Sequence, residues 1–201
     1  MEATEAKRLV VGISGASGAI LGIELLKAMN GMPGWETHLV ISNGARRTIT
    51  LETSHSVEEV EAMATRHHPI EDVGALVASG TFKTAGMVVV PCSMKTVAGI
   101  ATGYSDNLLL RAADVTIKER RKLVLVARES PLSPVHLRNL QAVSDLGGII
   151  LPPVLTYYNH PSTIEDMARH IVGKIMNVFD LELPHFRRWG EASGAEPTDH
   201  A

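Results

Sequence analysis

"RLVVGISGASGAILGIELLKAMN", residues 8–30, decides how the chain is read. Behind Arg8, the run LVVGI is continuously apolar, as a strand buried on both faces of a parallel sheet requires. AILGIELLKAMN has the apolar spacing of a helix. Between the two, glycines at 12, 15, 18 and 22 form a small-residue turn at a helix N-terminus, where backbone N–H groups suit an anion. A dinucleotide fingerprint needs G-x-G-x-x-G and an acid about 20 residues later. Here the spacing is G-x-x-G-x-x-G, and the second strand ends in Ser42. A P-loop needs Gly-Lys-Ser/Thr, and no such pair closes this loop. What remains is a cradle for one phosphate with Ser14 and Ser17, which fits a monophosphate nucleotide such as FMN. The alternative is that the glycines serve only close packing of strand on helix.

Working outward, RLVVGI (8–13), THLVIS (37–42), MVVVP (87–91), KLVLVA (122–127) and GIILP (148–152) read as strands. AILGIELLKAMN, SVEEVEAMA, MKTVAGIA, NLLLRAADVTIKER and VHLRNLQAVSDL read as helices. A last helix starts near Ser162, with Ile164, Ala168, Ile171, Ile175 and Val178 on one face. This alternation predicts an α/β fold with a doubly wound, mostly parallel sheet. Ligands then gather beyond the carboxyl ends of the strands. That edge collects GASGA, Ser42, PCSMKT (91–96), RESPLS and PPVLTYYNHP. In PCSMKT, Ser93 takes the N-cap position and Thr96 the third helical position, making a second anion-friendly terminus.

The 201 residues fit a single domain over 1–189, with the small, polar stretch 190–201 as a flexible tail. A net charge of −3 gives no basic field for nucleic acid. One cysteine, Cys92, excludes an internal disulfide and reads as a buried small hydrophobe. The acidic N-terminal stretch is not a secretory signal. The uncharged run 146–164 holds three prolines and reads as strand and loop, not as a membrane span. A cytoplasmic protein is expected.

Arg120, Arg121 and Lys122 read as the solvated end of a helix, favoured by its dipole. Arg128 directly follows a buried strand and so calls for an anion, with phosphate preferred over its neighbour Glu129. Nine histidines show no metal-ligand spacing, and His67-His68 reads as a surface loop. No acidic cluster offers a magnesium site, so no metal is expected.

Taken together, the glycine loop, PCSMKT, the RAAD…KERR…RES-P-L segment and P-P-x-x-x-Y-Y-x-x-P resemble the flavin prenyltransferases, the UbiX/Pad family. Within it, the likeness is greatest to the B components of phenolic acid decarboxylases. It runs from about Arg8 to Trp189. It implies a flavodoxin-like or Rossmann-like fold and trimers assembled into dodecamers. It also implies metal-free transfer of the dimethylallyl group of dimethylallyl phosphate to N5 and C6 of reduced FMN. The product, prenylated FMN, would serve a UbiD-type decarboxylase. By the same resemblance, Gly15, Ala16, Ser17, Ser42, Ser93, Met94, Lys95, Thr96 and Arg128 would contact FMN. Tyr158, Lys174, Lys118 and Arg128 would hold the prenyl phosphate, and Ser17, Glu52, Lys118 and Glu129 fall on catalytic positions. Trp189 matches the tryptophan near the family's C-terminus. Lys174 stands where many members have arginine, so phosphate is met by a point charge instead of a planar fork.

The chemistry implied is rupture of an allylic C–O bond, with fixed cations stabilising the departing phosphate. Glu129 would protonate that leaving group, and Ser17 with Glu52 would take the proton lost from C6. Two other readings share the flavin. In an FMN-dependent cysteine-type decarboxylase, a histidine follows the first helix, but His38 falls inside a predicted strand. In a non-catalytic flavin carrier or accessory subunit, the cations would have no chemical work.

Overall fold

The computed structural model describes residues 6–184, 186, 188 and 190. Trp189 and residues 191–201, which make up nearly all of the expected tail, lie outside them. Among the described residues, six strands form one sheet: β1 (Lys7–Ile13), β2 (Trp35–Ile41), β3 (Arg66–His68), β4 (Gly86–Cys92), β5 (Lys122–Ala127) and β6 (Ile149–Ile150). Their order is β3-β2-β1-β4-β5-β6, and every neighbouring pair is parallel. That is the doubly wound Rossmann order, in which the winding reverses between β1 and β4. The five expected strands are all present; β3 was not expected.

Seven α-helices among the described residues connect the strands: α1 (Ala19–Met29), α2 (Asn43–Glu52), α3 (Val57–Ala62), α4 (Met94–Thr102), α5 (Leu108–Lys118), α6 (Pro134–Asp145) and α7 (Ile164–Val178). Alternation along the strands sorts them into two layers. Leu9, Val11, Ile13, Leu39, Ile41, Val88, Val90, Val124 and Val126 face α1, α2, α3 and α7. Val10, Val40, Met87, Val89, Leu123 and Leu125 face α4, α5 and α6. Both faces are therefore dry, which explains why the strands read as continuous apolar runs.

Gly22 shows how tightly the first layer closes. A Cβ there would lie 2.6 Å from the Val90 carbonyl oxygen and 2.9 Å from Ile13 Cδ1. This glycine of the opening motif serves helix-on-sheet packing, as the alternative reading held. Ile164 departs from its expected apolar stripe and is exposed, whereas Ala168, Ile171 and Ile175 are buried. The stretch 146–164 is a short strand and loop, as expected, and no helix among the described residues is long and apolar enough to cross a membrane.

Two sequence expectations about charged and polar residues fail. Arg121 is not simply solvated: it donates to the Gly80 and Phe82 carbonyls at 2.6 and 2.9 Å, stapling the loop that precedes β4. His67-His68 is not a surface loop but most of β3. His68 is buried, and its Nε2 lies 2.9 Å from His38 Nδ1 of β2. The two rings stack, and Phe82 meets His38 edge-on.

A single proton between Nδ1 and Nε2 lets one neutral ring donate to the other, while His38 Nε2 is left buried without a hydrogen-bond partner. A further proton on either ring would put a cation in the core. Burial, and after it the neighbouring His68, push the His38 pKa down from 6.5 to about 4. Burial, with Arg66 next, lowers that of His68 too. The unfolded chain then binds protons that the fold refuses, so stability present above pH 6.5 is lost as pH falls toward 4. We expect His38 to contribute about 3 kcal/mol to this loss. Urea unfolding at pH 7 and pH 4.5 should show a shallower pH dependence in His38→Gln; equal slopes would mean that the pair carries none of it.

Candidate active site at the carboxyl edge of the sheet

The carboxyl edge is knitted at the point where the winding reverses. Ser14, 1% exposed, follows β1. Its hydroxyl donates to the Pro91 carbonyl at 3.0 Å and accepts from the Ser93 N–H at 2.7 Å. Its own N–H also donates to the Pro91 carbonyl, at 3.2 Å. Proline has no N–H to continue the ladder, and the β4–β5 register slips between Val89 and Cys92. Ser14 is thus a structural tie with its hydrogen bonds already committed, not the phosphate ligand expected.

The α1 terminus is occupied as well. Glu52, at the end of α2, accepts from the Gly18 and Ala19 N–H groups at 2.8 and 3.1 Å. A carboxylate already sits where a phosphate was expected. Glu52 and Ser17 are brought to one turn by these bonds.

Two other helix N-termini open onto a cavity of about 560 Å³. Ser42 caps α2 by accepting from the Ala45 N–H, and Ser93 caps α4 by accepting from the Thr96 N–H. Gly15, Ser42, Ser93, Lys95 and Thr96 all line this cavity. Gly15 and Gly44 let the two loops touch, since a Cβ on Gly15 would lie 3.0 Å from Gly44 Cα. Ala16 and Met94 are buried beside these loops.

The opposite wall was missed from sequence. Ile70 and Glu71, after β3, meet Asp106 and Asn107 before α5, where the Leu108 N–H donates to the Ile70 carbonyl at 2.9 Å. Asn107 caps α5 through the Leu110 N–H and holds Asp106 by its amide. Leu109 and Leu110 add apolar surface to the wall. S-N-G, which opens α2 from its cap Ser42, and S-D-N, which ends in the α5 cap Asn107, were the available signals, being cap sequences at the ligand edge.

Arg128 stands at the same edge. Its N–H donates to the Cys92 carbonyl at 3.0 Å, but its side chain is exposed. Within one chain, then, Arg128 is not the buried charge in need of an anion that its place after β5 suggested. Glu129 turns its carboxylate onto the Ser130 N–H at 3.0 Å. Cys92 is fully buried, and burial raises its thiol pKa, so it is no nucleophile.

Lys118 is not brought here. It ends α5 and pairs with Glu119 beside Gly80, before β5 begins. The six residues of β5 separate it from Arg128, roughly 20 Å of strand.

Tyr158 and Lys174 gather around a third residue. Tyr158 meets His170 of α7 edge-on, with ring centroids 5.8 Å apart. Lys174 lies one turn along α7 from His170 and, after burial, is the cause that lowers its pKa. Beside them, residues 159–162, α7, Leu183, Pro184 and Phe186 enclose a cavity of about 460 Å³. Its lining does not include Arg128. His38, buried against His68, lines neither cavity.

Comparison with known proteins places this geometry. A family model described as Flavoprotein matches residues 1–178. A probable UbiX-like flavin prenyltransferase of Sedimentibacter hydroxybenzoicus is 54% identical over 182 residues, covering 90% of this chain and 96% of that protein. The chain belongs to the UbiX-like flavin prenyltransferase family. Two solved structures of such proteins superpose closely. One is a dodecameric FMN-dependent UbiX-like decarboxylase from Escherichia coli O157:H7, with TM-score 0.90, 51% identity and coverage of 92% of this chain and 100% of that one. The other is AnUbiX (PadA1) in complex with FMN and dimethylallyl pyrophosphate, with TM-score 0.90, 48% identity and coverage of 93% and 99%. Membership bears out the resemblance read from the motifs and sets aside the cysteine-type decarboxylase.

In this UbiX-like chain the Ser14 tie is open to test. Ser14→Ala strands the Ser93 N–H and should cost about 1–3 kcal/mol. Urea unfolding gives the stability, and FMN titration by flavin fluorescence should show weaker binding, because Ser93 caps the cavity wall.

Proposed function

We propose that this chain is a flavin prenyltransferase that joins the dimethylallyl group of dimethylallyl phosphate to N5 and C6 of reduced FMN, giving prenylated FMN for a UbiD-type decarboxylase of aromatic acids. The observation that carries the reading is the cavity at the switch of winding, walled by the α2 and α4 N-termini. Its volume is that of a small-molecule site. Two Ser-capped helix ends and Lys95 suit one phosphate, while Ile70, Leu109 and Leu110 offer apolar surface to a flat ring. The residues therefore fit FMN, which when bound and reduced supplies the nucleophilic nitrogen and carbon. The working unit is a single domain over residues 1–189, and its location is cytoplasmic.

The residues divide the work. Gly15, Ala16, Ser17, Ser42, Ser93, Met94, Lys95, Thr96 and Arg128 hold the flavin nucleotide. Ser17 with Glu52 removes a proton, a role supported by Glu52 accepting from the N–H of Gly18, the residue after Ser17. Tyr158, which packs edge-on against His170, and Lys174, one helical turn beyond His170, hold the donor phosphate. Glu129 delivers a proton to its departing oxygen. Fixed cations lower the barrier because they are already oriented when the negative charge develops. Lys118 can join this set only from a second copy of the chain. That arrangement is supported by the dodecameric relative and is part of the proposal, as are a trimer-based dodecamer and association with the decarboxylase. Since AnUbiX holds the pyrophosphate, both donor esters belong in the test.

Anaerobic incubation with reduced FMN and either ester should release inorganic phosphate or pyrophosphate and raise the flavin mass by one prenyl unit. Unchanged flavin despite tight FMN binding would favour the non-catalytic carrier. In the same assay, Lys174→Arg should alter donor KM and leave FMN affinity unchanged.

A further inference from the structure

His170 is not among the residues to which the proposed function gives a role, yet it is the joint between two that have one. It is 4% exposed, and its Nε2 is buried with no hydrogen-bond partner. A polar ring in such a place needs a reason, because an unmade buried hydrogen bond is costly. Its contacts are made by the flat ring and not by the nitrogens. Phe186 stacks on it with centroids 5.0 Å apart and planes 25° from parallel. Tyr158 stands edge-on to it at 86°. Phe186 can reach this position only because residue 173 is glycine: a Cβ there would lie 2.1 Å from Phe186 Cδ2. Gly173, Phe186, His170 and Tyr158 thus form one continuous column. It links α7, the segment after it and the loop after β6.

From this column we infer that His170 is a positioning residue for donor binding: its ring fixes the Tyr158 phenol and holds it against the helix turn that carries Lys174. The inference rests on the proposed assignment of Tyr158 and Lys174 to the donor phosphate. Edge-to-face contact restrains the tyrosine ring because an aromatic edge and face carry opposite partial charge. Tyr158 is 39% exposed and sits on a loop, so this contact narrows the rotamers open to its ring. Lysine in place of arginine makes this matter more. A point charge on a flexible stem does not dictate phosphate orientation, which leaves orientation to the phenol. His170 also has to stay neutral, since a second cation one turn from Lys174 would repel it. Burial first, and then Lys174, keep it so.

Because ring shape is what positions the phenol, His170→Ala and His170→Phe separate positioning from simple stability. In the prenylation assay, His170→Ala should raise donor KM about tenfold, with kcat within twofold and the FMN dissociation constant unchanged. His170→Phe, which restores the flat ring without its nitrogens, should return KM to within about twofold of the unsubstituted chain. Gly173→Ala, which displaces Phe186 and leaves the Tyr158 and Lys174 side chains themselves unsubstituted, should resemble His170→Ala.

A readout independent of turnover is 3-fluorotyrosine placed at position 158. Its fluorine resonance should shift in His170→Ala and stay in place in His170→Phe. An unmoved resonance in His170→Ala, a KM unchanged by that substitution, or failure of phenylalanine to rescue would each overturn the inference. If the unsubstituted chain transfers no prenyl group while the resonance behaves as stated, the proposed function fails and the positioning of Tyr158 stands.

Discussion

A buried hydroxyl holds the two halves of the sheet together where the site is built. Ser14 bridges the ends of β1 and β4, giving a proton to the Pro91 carbonyl and taking one from the Ser93 N–H. Parallel strands on either side of the winding reversal send their connections to opposite faces, so their ends diverge and leave a crevice. The bridge sets the width of that crevice at its floor. It also fixes where α4 begins, since Ser93 is both its partner and the α4 cap. The α4 wall of the cavity is referred to this point.

Charge is distributed around it by exclusion. The α1 terminus is taken by Glu52, which turns the most conspicuous anion site in the sequence into a helix cap. The helix N-termini that face the cavity with Lys95 are those of α2, α4 and α5. Farther along the same edge, β5 and β6 run side by side, with the Leu151 N–H bonded to the Leu125 carbonyl. They deliver Arg128 and the loop bearing Tyr158 to the same side of the molecule. Lys118 is sent to the other side by the polarity of a parallel sheet, because a helix that feeds a strand ends where that strand begins.

What could be read in advance follows from how strongly burial marks each segment. The strands buried on both faces were legible, because nothing but apolar residues can occupy them. β3 was not: three residues long, with two histidines, it owes its place to the His38–His68 hydrogen bond and to pairing with β2. α2 was missed for a similar reason, since NGARRTITLE buries only Ala45 and Ile49 and shows no apolar stripe. The motifs around Ser42, Ser93 and Arg128 were correctly assigned to one edge. Glu71 and Asp106 were not seen to join it, because Glu71 follows a strand that was not expected and Asp106 precedes α5 and follows no strand.

By itself the sequence determined the fold class, the edge at which ligands gather and, through long motifs in register, the family. These rest on local signals: the period of apolar residues, cap residues and turn residues. Only the tertiary structure decided which groups remain available once the fold has used what it needs. Ser14 and the Gly18 and Ala19 N–H groups are consumed internally, Arg128 is exposed, Lys118 faces away and His170 packs edge-on against Tyr158. The physical reason is that a hydrogen-bonding group can be committed by a partner many residues away, as Ser14 is by Pro91 and Gly18 by Glu52. No reading of neighbours along the chain contains that partner.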